Sequence, residues 1–297
     1  MIGASRVQQP EGCCAVSSER VRVSSMILTD DEFKLFSQLI YNESGISIKE
    51  AKREFLQVRL QKRLQAHRLV SYYRYYKLVS DKNQGQRELL DLVDSLTINE
   101  TSFFRNRPQM DVFADMVIPE LIRRKSALKR LRIWSAGCSR GHEPYSIAMT
   151  ILKRLGDADS WDVKVLASDI SLRVLELAQR GSYTELEVEN VHPGYRDSFF
   201  KKVDNQFQVI PRLRKLIVFD YHNLKHENGL SGLDAIFCRN VMIYFDREEQ
   251  QRLINKFHAS LAEGGYLFLG HTETLQGLSD KFRFIYHNKG AVYQKTG

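Results

Sequence analysis

A chain of 297 residues, 43% hydrophobic and 27% charged, carries enough apolar mass for one large domain or two modest ones. Its net charge of +8 favours an acidic partner without naming one. No apolar run nears the roughly 20 residues a membrane helix needs, and the first 25 residues lack the apolar core of a secretory signal.

The first 25 residues, "MIGASRVQQPEGCCAVSSERVRVSS", have no periodic pattern. A disordered leader is expected over 1–27, with Met26 as an alternative start. Cys13 and Cys14 fall inside it and receive no role. Cys138 and Cys238 stand far apart, and none of the eight histidines clusters with them. That usage fits a reducing cytoplasm and speaks against structural zinc, so no metal site is assigned.

An N-terminal all-helical domain is expected over 28–97. "TDDEFKLFSQLIYNESG" starts on Thr29 as N-cap, places acids in its first turn and stops at Gly45. "SIKEAKREFLQVRLQKRLQAHR" sets Phe55, Leu56, Leu60 and Leu64 at helical spacing. Its other face carries Lys49, Lys52, Arg53, Arg59, Lys62, Arg63 and Arg68. "SYYRYYKLVSD" and "GQRELLDLVDSLT" predict two more short helices.

The second domain is expected over 98–297. Strands are predicted at "RLRIWSAG", "WDVKVLASDI", "LRKLIVFDY", "LDAIFCRN" and "GGYLFLG", and helices at "EPYSIAMTILKRL", "SLRVLELAQRG" and "DREEQQRLINKFHASLAEG". This alternation predicts an α/β doubly wound parallel sheet covered on both faces. The tail "FRFIYHNKGAVYQK" predicts a closing antiparallel hairpin. A segment too long for a plain connection predicts a small β insertion at about 183–212.

In such sheets a ligand lies beyond the carboxyl ends of the strands, where strand order reverses. Three stations of the sequence fall there. In "LRIWSAGCSRGHEPYSIAM", Gly137 and Gly141 permit close backbone approach before a helix N-terminus, though the spacing is neither a dinucleotide fingerprint nor a phosphate loop. A structural turn would look much the same. Asp169 ends the next strand, placed for ribose hydroxyls, or else as a helix cap, a role Ser171 could fill instead. In "CRNVMIYF", Arg239 and Asn240 leave an apolar strand, followed by Tyr244. A nucleoside-sized ligand without a phosphate loop points to S-adenosylmethionine, giving S-adenosylhomocysteine as product.

The strings "SLTINETSFFRN", "AGCSRGHEPYSIAM", "ASDIS", "FDYHNL" and "FCRNVMIYFDREEQQRLINKFHASLAEGGYLFLGHTETL" together resemble the CheR-type chemotaxis receptor glutamate methyltransferases. The resemblance runs from Leu28 to Lys295. It implies a Rossmann-like methyltransferase fold and methyl transfer from S-adenosylmethionine to glutamate side chains of chemoreceptors. The partners implied are their cytoplasmic methylation helices, engaged by a cytoplasmic monomer without nucleic acid. By motif, the cofactor would touch Asn99, Thr101, Arg105, Glu143, Asp169, Asn223, Leu224, Arg239 and Asn240. Arg105 and Tyr244 would face the incoming glutamate as catalytic residues. The cationic helix would lie along an acidic receptor bundle, with a merely solvated face as the plainer alternative.

Two departures from the family pattern stand out. His142 replaces the first of two consecutive acids, leaving Glu143 for the methionine ammonium, so activity should survive. Some relatives dock a receptor's C-terminal pentapeptide on a glycine-containing hairpin of the insertion; the corresponding "KKVDNQFQV" is short and lacks glycine. Independence from that tether is expected. The competing readings are a methyltransferase of another substrate, such as RNA, and a catalytically silent cofactor-binding adaptor.

Overall fold

The computed structural model describes residues 26–296. Cys13, Cys14 and all of the expected leader but Met26 and Ile27 lie outside the described residues. The Met26 carbonyl accepts from Gln61 Nε2 at 3.0 Å and from the Tyr72 hydroxyl at 3.3 Å. The described residues form two compact units, 26–43 with 47–97, and 44–46 with 98–296.

The first unit holds α1 (Asp30–Ser44), α2 (Arg53–Ala66), α3 (Tyr72–Ser80) and α4 (Gln86–Leu96). Thr29 and Glu32 cap α1 reciprocally: the Glu32 N–H reaches Thr29 Oγ1 and the Thr29 N–H reaches Glu32 Oε2. Leu56, Leu60 and Leu64 are fully buried on one stripe of α2. Phe55, expected among them, is only half-buried and carries the Arg59 guanidinium 5.0 Å from its ring. The basic face is also narrower than the sequence suggests. Arg53 pairs with Asp30 and Glu50 at the surface, and Arg63 with Glu88 and Asp91, so both already have acidic partners within the unit.

The second unit is built on a seven-stranded sheet of order β6-β2-β1-β7-β8-β10-β9. These are β1 (Arg130–Ala136), β2 (Asp162–Asp169), β6 (Ile217–Tyr221), β7 (Leu233–Cys238), β8 (Leu261–Leu269), β9 (Phe282–His287) and β10 (Gly290–Lys295). The first five in sequence are parallel; β10 runs antiparallel between β8 and β9. Alternate residues feed two cores. Ile133, Ala235, Phe237 and Phe268 face one side, while Trp134, Ile236, Cys238 and Leu269 face the other. Phe237 and Phe268 stack at 4.2 Å, with Phe113 edge-on to both.

Helices α7 (His142–Arg154) and α8 (Leu172–Arg180) follow β1 and β2, and α12 (Arg247–Ser260) covers the opposite face through Leu253, Ile254 and Phe257. Before β1 stands a helical run the sequence reading did not recognise: α5 (Arg107–Val112), one wide π turn (Phe113–Val117) and α6 (Ile118–Arg124). Pro108 and Pro119 hid it, since each opens one of the two α segments. Gln109 fixes it to the sheet by donating to the Leu269 and Ala291 carbonyls.

The insertion is a three-stranded antiparallel sheet of β3 (Ser182–Thr184), β4 (Phe200–Val203) and β5 (Gln206–Val209), in the order β3-β5-β4. It also contains two short helices, α9 (Glu185–Val188) and α10 (Pro193–Phe199). Two predicted boundaries need correction. Leu213 lies in a helical turn, α11 (Pro211–Arg214), rather than in a strand. The stretch "LAEG", read as the end of a helix, is already strand, because Leu261 pairs with Leu233 across an irregular register.

Candidate active site at the carboxyl edge of the sheet

Chain order reverses between β1 and β7, which are neighbours in the sheet although β2 and β6 intervene in sequence. The loop after β1 is bent hard. Gly137 and Gly141 hold φ of 81° and 86°, and Ser139 is also left-handed at 49°. The glycines are required by packing inside the protein: a Cβ on Gly137 would fall 2.4 Å from Val241 Cγ2, and one on Gly141 2.9 Å from Ala178 Cβ. Amides of Gly137 and Cys138 bond the Ser168 carbonyl, which ties the loop to the tip of β2.

Asp169 completes that tie. Its Oδ2 accepts the Ser139 N–H at 2.8 Å and its Oδ1 the Ser171 N–H at 3.0 Å. Ser171 caps α8 by accepting from Val174 N. A carboxylate at the tip of this strand is the kind of acceptor that ribose hydroxyls donate to in sheets of this type.

Glu143, in the first turn of α7, turns toward the tip of β1. Ser135 donates to its Oε1 at 2.7 Å, and Arg239 Nη1 lies 3.3 Å from its Oε2. Burial pushes the Glu143 carboxyl above the usual carboxylate range, against the pull of Arg239, and pushes Arg239 below its own. Arg239 also donates to the Arg105 carbonyl, so it fastens the loop that carries Arg105. Arg239 Nε and Glu273 Oε1 find no hydrogen-bond partner among the described residues. An under-satisfied, buried ion cluster of this kind suits a ligand that brings both a cation and an anion.

The remaining sequence-predicted residues fall around this cluster or close to it. The Asn99 carbonyl accepts from Ser139 Oγ at 3.3 Å, and Thr101 is half-buried in the same loop. Arg105 is exposed and donates to the Glu100 carbonyl. The Tyr244 hydroxyl accepts the Ile98 N–H at 3.2 Å, which leaves its proton available for donation. Burial raises its pKa, so that proton is retained. Asn223 is buried and holds the Lys225 N–H, while the Leu224 carbonyl takes a 2.6 Å bond from Lys256. Asn240 stands at φ 60°, its N–H on Glu273.

His142 lies apart from this cluster. It packs between Phe103 and Tyr183, at 4.6 and 4.7 Å, with Glu187 of the insertion beside it. Residues the sequence reading missed are Ser135, Ser139 and Glu273. Each works through a single polar contact or a backbone amide and leaves no spacing pattern. All three lay within quoted motifs without standing out there.

An ion cluster and an acid beyond the carboxyl ends of the strands, at the point where their order reverses, define an α/β sheet protein with a ligand crevice at its switch point. Two family models match in series: the CheR methyltransferase all-alpha domain over residues 31–97 and the CheR methyltransferase SAM binding domain over residues 99–291. Among similar proteins, the chemotaxis protein methyltransferase of Escherichia coli is 37% identical over 265 residues, covering 86% of this chain and 89% of that one. That of Borreliella burgdorferi is 35% identical over 256 residues, with 84% and 90% covered. Chemotaxis protein methyltransferase 2 of Pseudomonas aeruginosa is 37% identical over 263 residues, with 86% and 91% covered. The chain belongs to the CheR methyltransferase family.

Among the described residues no helix is long and apolar enough to cross a membrane.

Proposed function

We propose that this chain methylates glutamate side chains on the cytoplasmic methylation helices of chemoreceptors, working in the cytoplasm as a monomer. The observation that supports this best is the Glu143–Arg239 pair beside Asp169 at the reversal point of a chain that matches the CheR models throughout. S-adenosylmethionine, when bound, supplies a methyl group already activated by its sulfonium and leaves as S-adenosylhomocysteine.

The protein's own residues then have few tasks. Asp169 holds the ribose, Glu143 the amino acid ammonium, and the loops at Asn99–Thr101, Gly137, Asn223–Leu224 and Arg239–Asn240 surround the rest. A glutamate carboxylate has a reference pKa near about 4.3 and arrives charged, so no general base is required. Arg105 and Tyr244 orient it, one by charge and one by its free hydroxyl proton. Orientation supplies most of the rate, since reacting atoms must be collinear. Arg105→Ala should lower turnover about a hundredfold; near-normal turnover would remove Arg105 from the mechanism.

Tether independence follows from the insertion. Its outer strand β4 is four residues long, turns at Asp204–Asn205 and exposes Lys201 and Lys202, a poor template for adding a peptide strand. Receptor membranes lacking their last five residues should therefore be methylated as well as intact ones. Tight binding of the isolated pentapeptide would refute this. The reaction itself is tested by transfer of labelled methyl groups into receptor membranes, as base-labile esters; labelling of RNA instead would favour the other substrate class.

A further inference from the structure

Glu273 is the charged group nearest the site that the proposed function does not use. It closes the turn Gly270–Glu273 through its N–H on the Gly270 carbonyl at 2.9 Å. Its Oε2 folds back onto the Gly270 N–H and also accepts the Asn240 N–H at 2.9 Å. Asn240 needs such a partner, because its left-handed φ of 60° costs a side-chain-bearing residue free energy unless neighbours hold it. Gly270 provides the room: a Cβ there would stand 2.6 Å from Glu273 Oε2 and 2.9 Å from the Asn240 nitrogen. Turn geometry alone does not call for an acid. A half-buried carboxylate with one oxygen unpartnered costs desolvation that a neutral turn residue would avoid.

We infer that Glu273 is a positioning residue, fixing the bend after β7 so that Asn240 and Arg239 face the cofactor, and acting through the Asn240 backbone without touching the cofactor itself. This rests on the reading of Asn240 as a cofactor contact. A single side-chain oxygen accepts both amides, and that shared acceptor is what holds the bend.

The test is calorimetric titration of S-adenosylhomocysteine into wild type, Glu273→Ala, Glu273→Gln, Asn240→Ala, the Glu273→Ala/Asn240→Ala double variant and Gly270→Ala, with a thermal midpoint for each. Glu273→Ala should weaken affinity about tenfold at temperatures where it is fully folded. Glu273→Gln keeps an oxygen for both amides and should stay within about threefold. The double variant should be no weaker than the worse single one, since both act on one contact. Gly270→Ala should reproduce the Glu273→Ala loss from the other side. Wild-type affinity in Glu273→Ala, additive losses, or a Glu273→Gln variant as weak as Glu273→Ala would each overturn the proposal; the last would make the charge itself the contact. Should Glu273→Ala not fold, Gly270→Ala and Glu273→Gln decide the matter, loss in the first with retention in the second supporting it and the reverse refuting it. Absence of uptake by wild type is a separate outcome and contradicts the proposed function.

Discussion

Two buried carboxylates, one in each unit, have opposite surroundings. Glu88 in the helical unit receives both arms of Arg63, the Tyr75 hydroxyl and His67 Nε2. Those donors overcome burial and hold it below the usual carboxylate range. Glu143 at the sheet edge has one serine hydroxyl and one long guanidinium contact, and burial carries it above that range. The first network is complete and works for stability. The second is incomplete, and on the proposed reading a ligand supplies the missing partners, which is how a stability element and a binding site would differ in the same chemical vocabulary.

Breaking the complete network should have the larger effect on folding. Glu88→Ala leaves the buried Tyr75 hydroxyl without its acceptor and Arg63 with Asp91 alone, and should destabilise the helical unit by about 2–4 kcal/mol in urea titration. A loss below about 1 kcal/mol would place Glu88 among ordinary surface pairs. At Glu143 the pattern should invert. Glu143→Gln should weaken S-adenosylhomocysteine binding about ten- to hundredfold with a smaller loss of stability than Glu88→Ala, because relief of the desolvated carboxylate offsets part of what Arg239 loses. A fall in midpoint with unchanged affinity would make it a second Glu88.

The acid response sharpens the same contrast. His142, desolvated between two rings, is held at about 4 instead of its ordinary 6.5, despite Glu187 beside it. Below pH 6.5 the unfolded chain takes up a proton that the folded chain refuses. Stability should thus fall as pH drops toward 4, by up to about 3 kcal/mol from this residue, and His142→Leu should flatten that part of the profile. Equal acid sensitivity in both proteins would show that His142 does not titrate there. Glu88 has the same sign over a lower range: its contribution is intact above the ordinary carboxylate range and is lost as pH falls through its depressed value. The smallest effect belongs to the basic face. Lys52 and Lys62 are exposed and enter no ion pair among the described residues, so Lys52→Glu with Lys62→Glu should slow receptor methylation several-fold at low salt and little at high salt. Equal rates at all salt concentrations would return α2 to a solvated surface.

The sheet was legible because its strands are long apolar runs with glycine or acid at their ends, and the hairpin because Asn288 and Lys289 supply left-handed turn positions at φ 45° and 67°. Gly290, the apparent turn glycine, serves instead to let Pro108 approach, since a Cβ would lie 2.4 Å from its carbonyl. The helical run at 107–124 escaped because proline and a π turn break the 3.6-residue period on which such reading depends. Within the site, Asp169, Glu143 and Arg239 could be picked out because charge at a strand end or helix start is conspicuous. The work of Arg239 on Arg105, and of Glu273 on Asn240, was invisible. Both act on backbone atoms more than 30 residues away, and no local spacing encodes such a contact.

The central claim is that the incomplete cluster around Glu143 awaits a sulfonium nucleoside. Titration of S-adenosylhomocysteine into the whole protein, wild type beside Glu143→Gln, tests it most directly. One-to-one uptake that weakens about tenfold or more in the variant, without loss of fold, is the predicted result; no heat of binding, or equal affinity in both proteins, would contradict it.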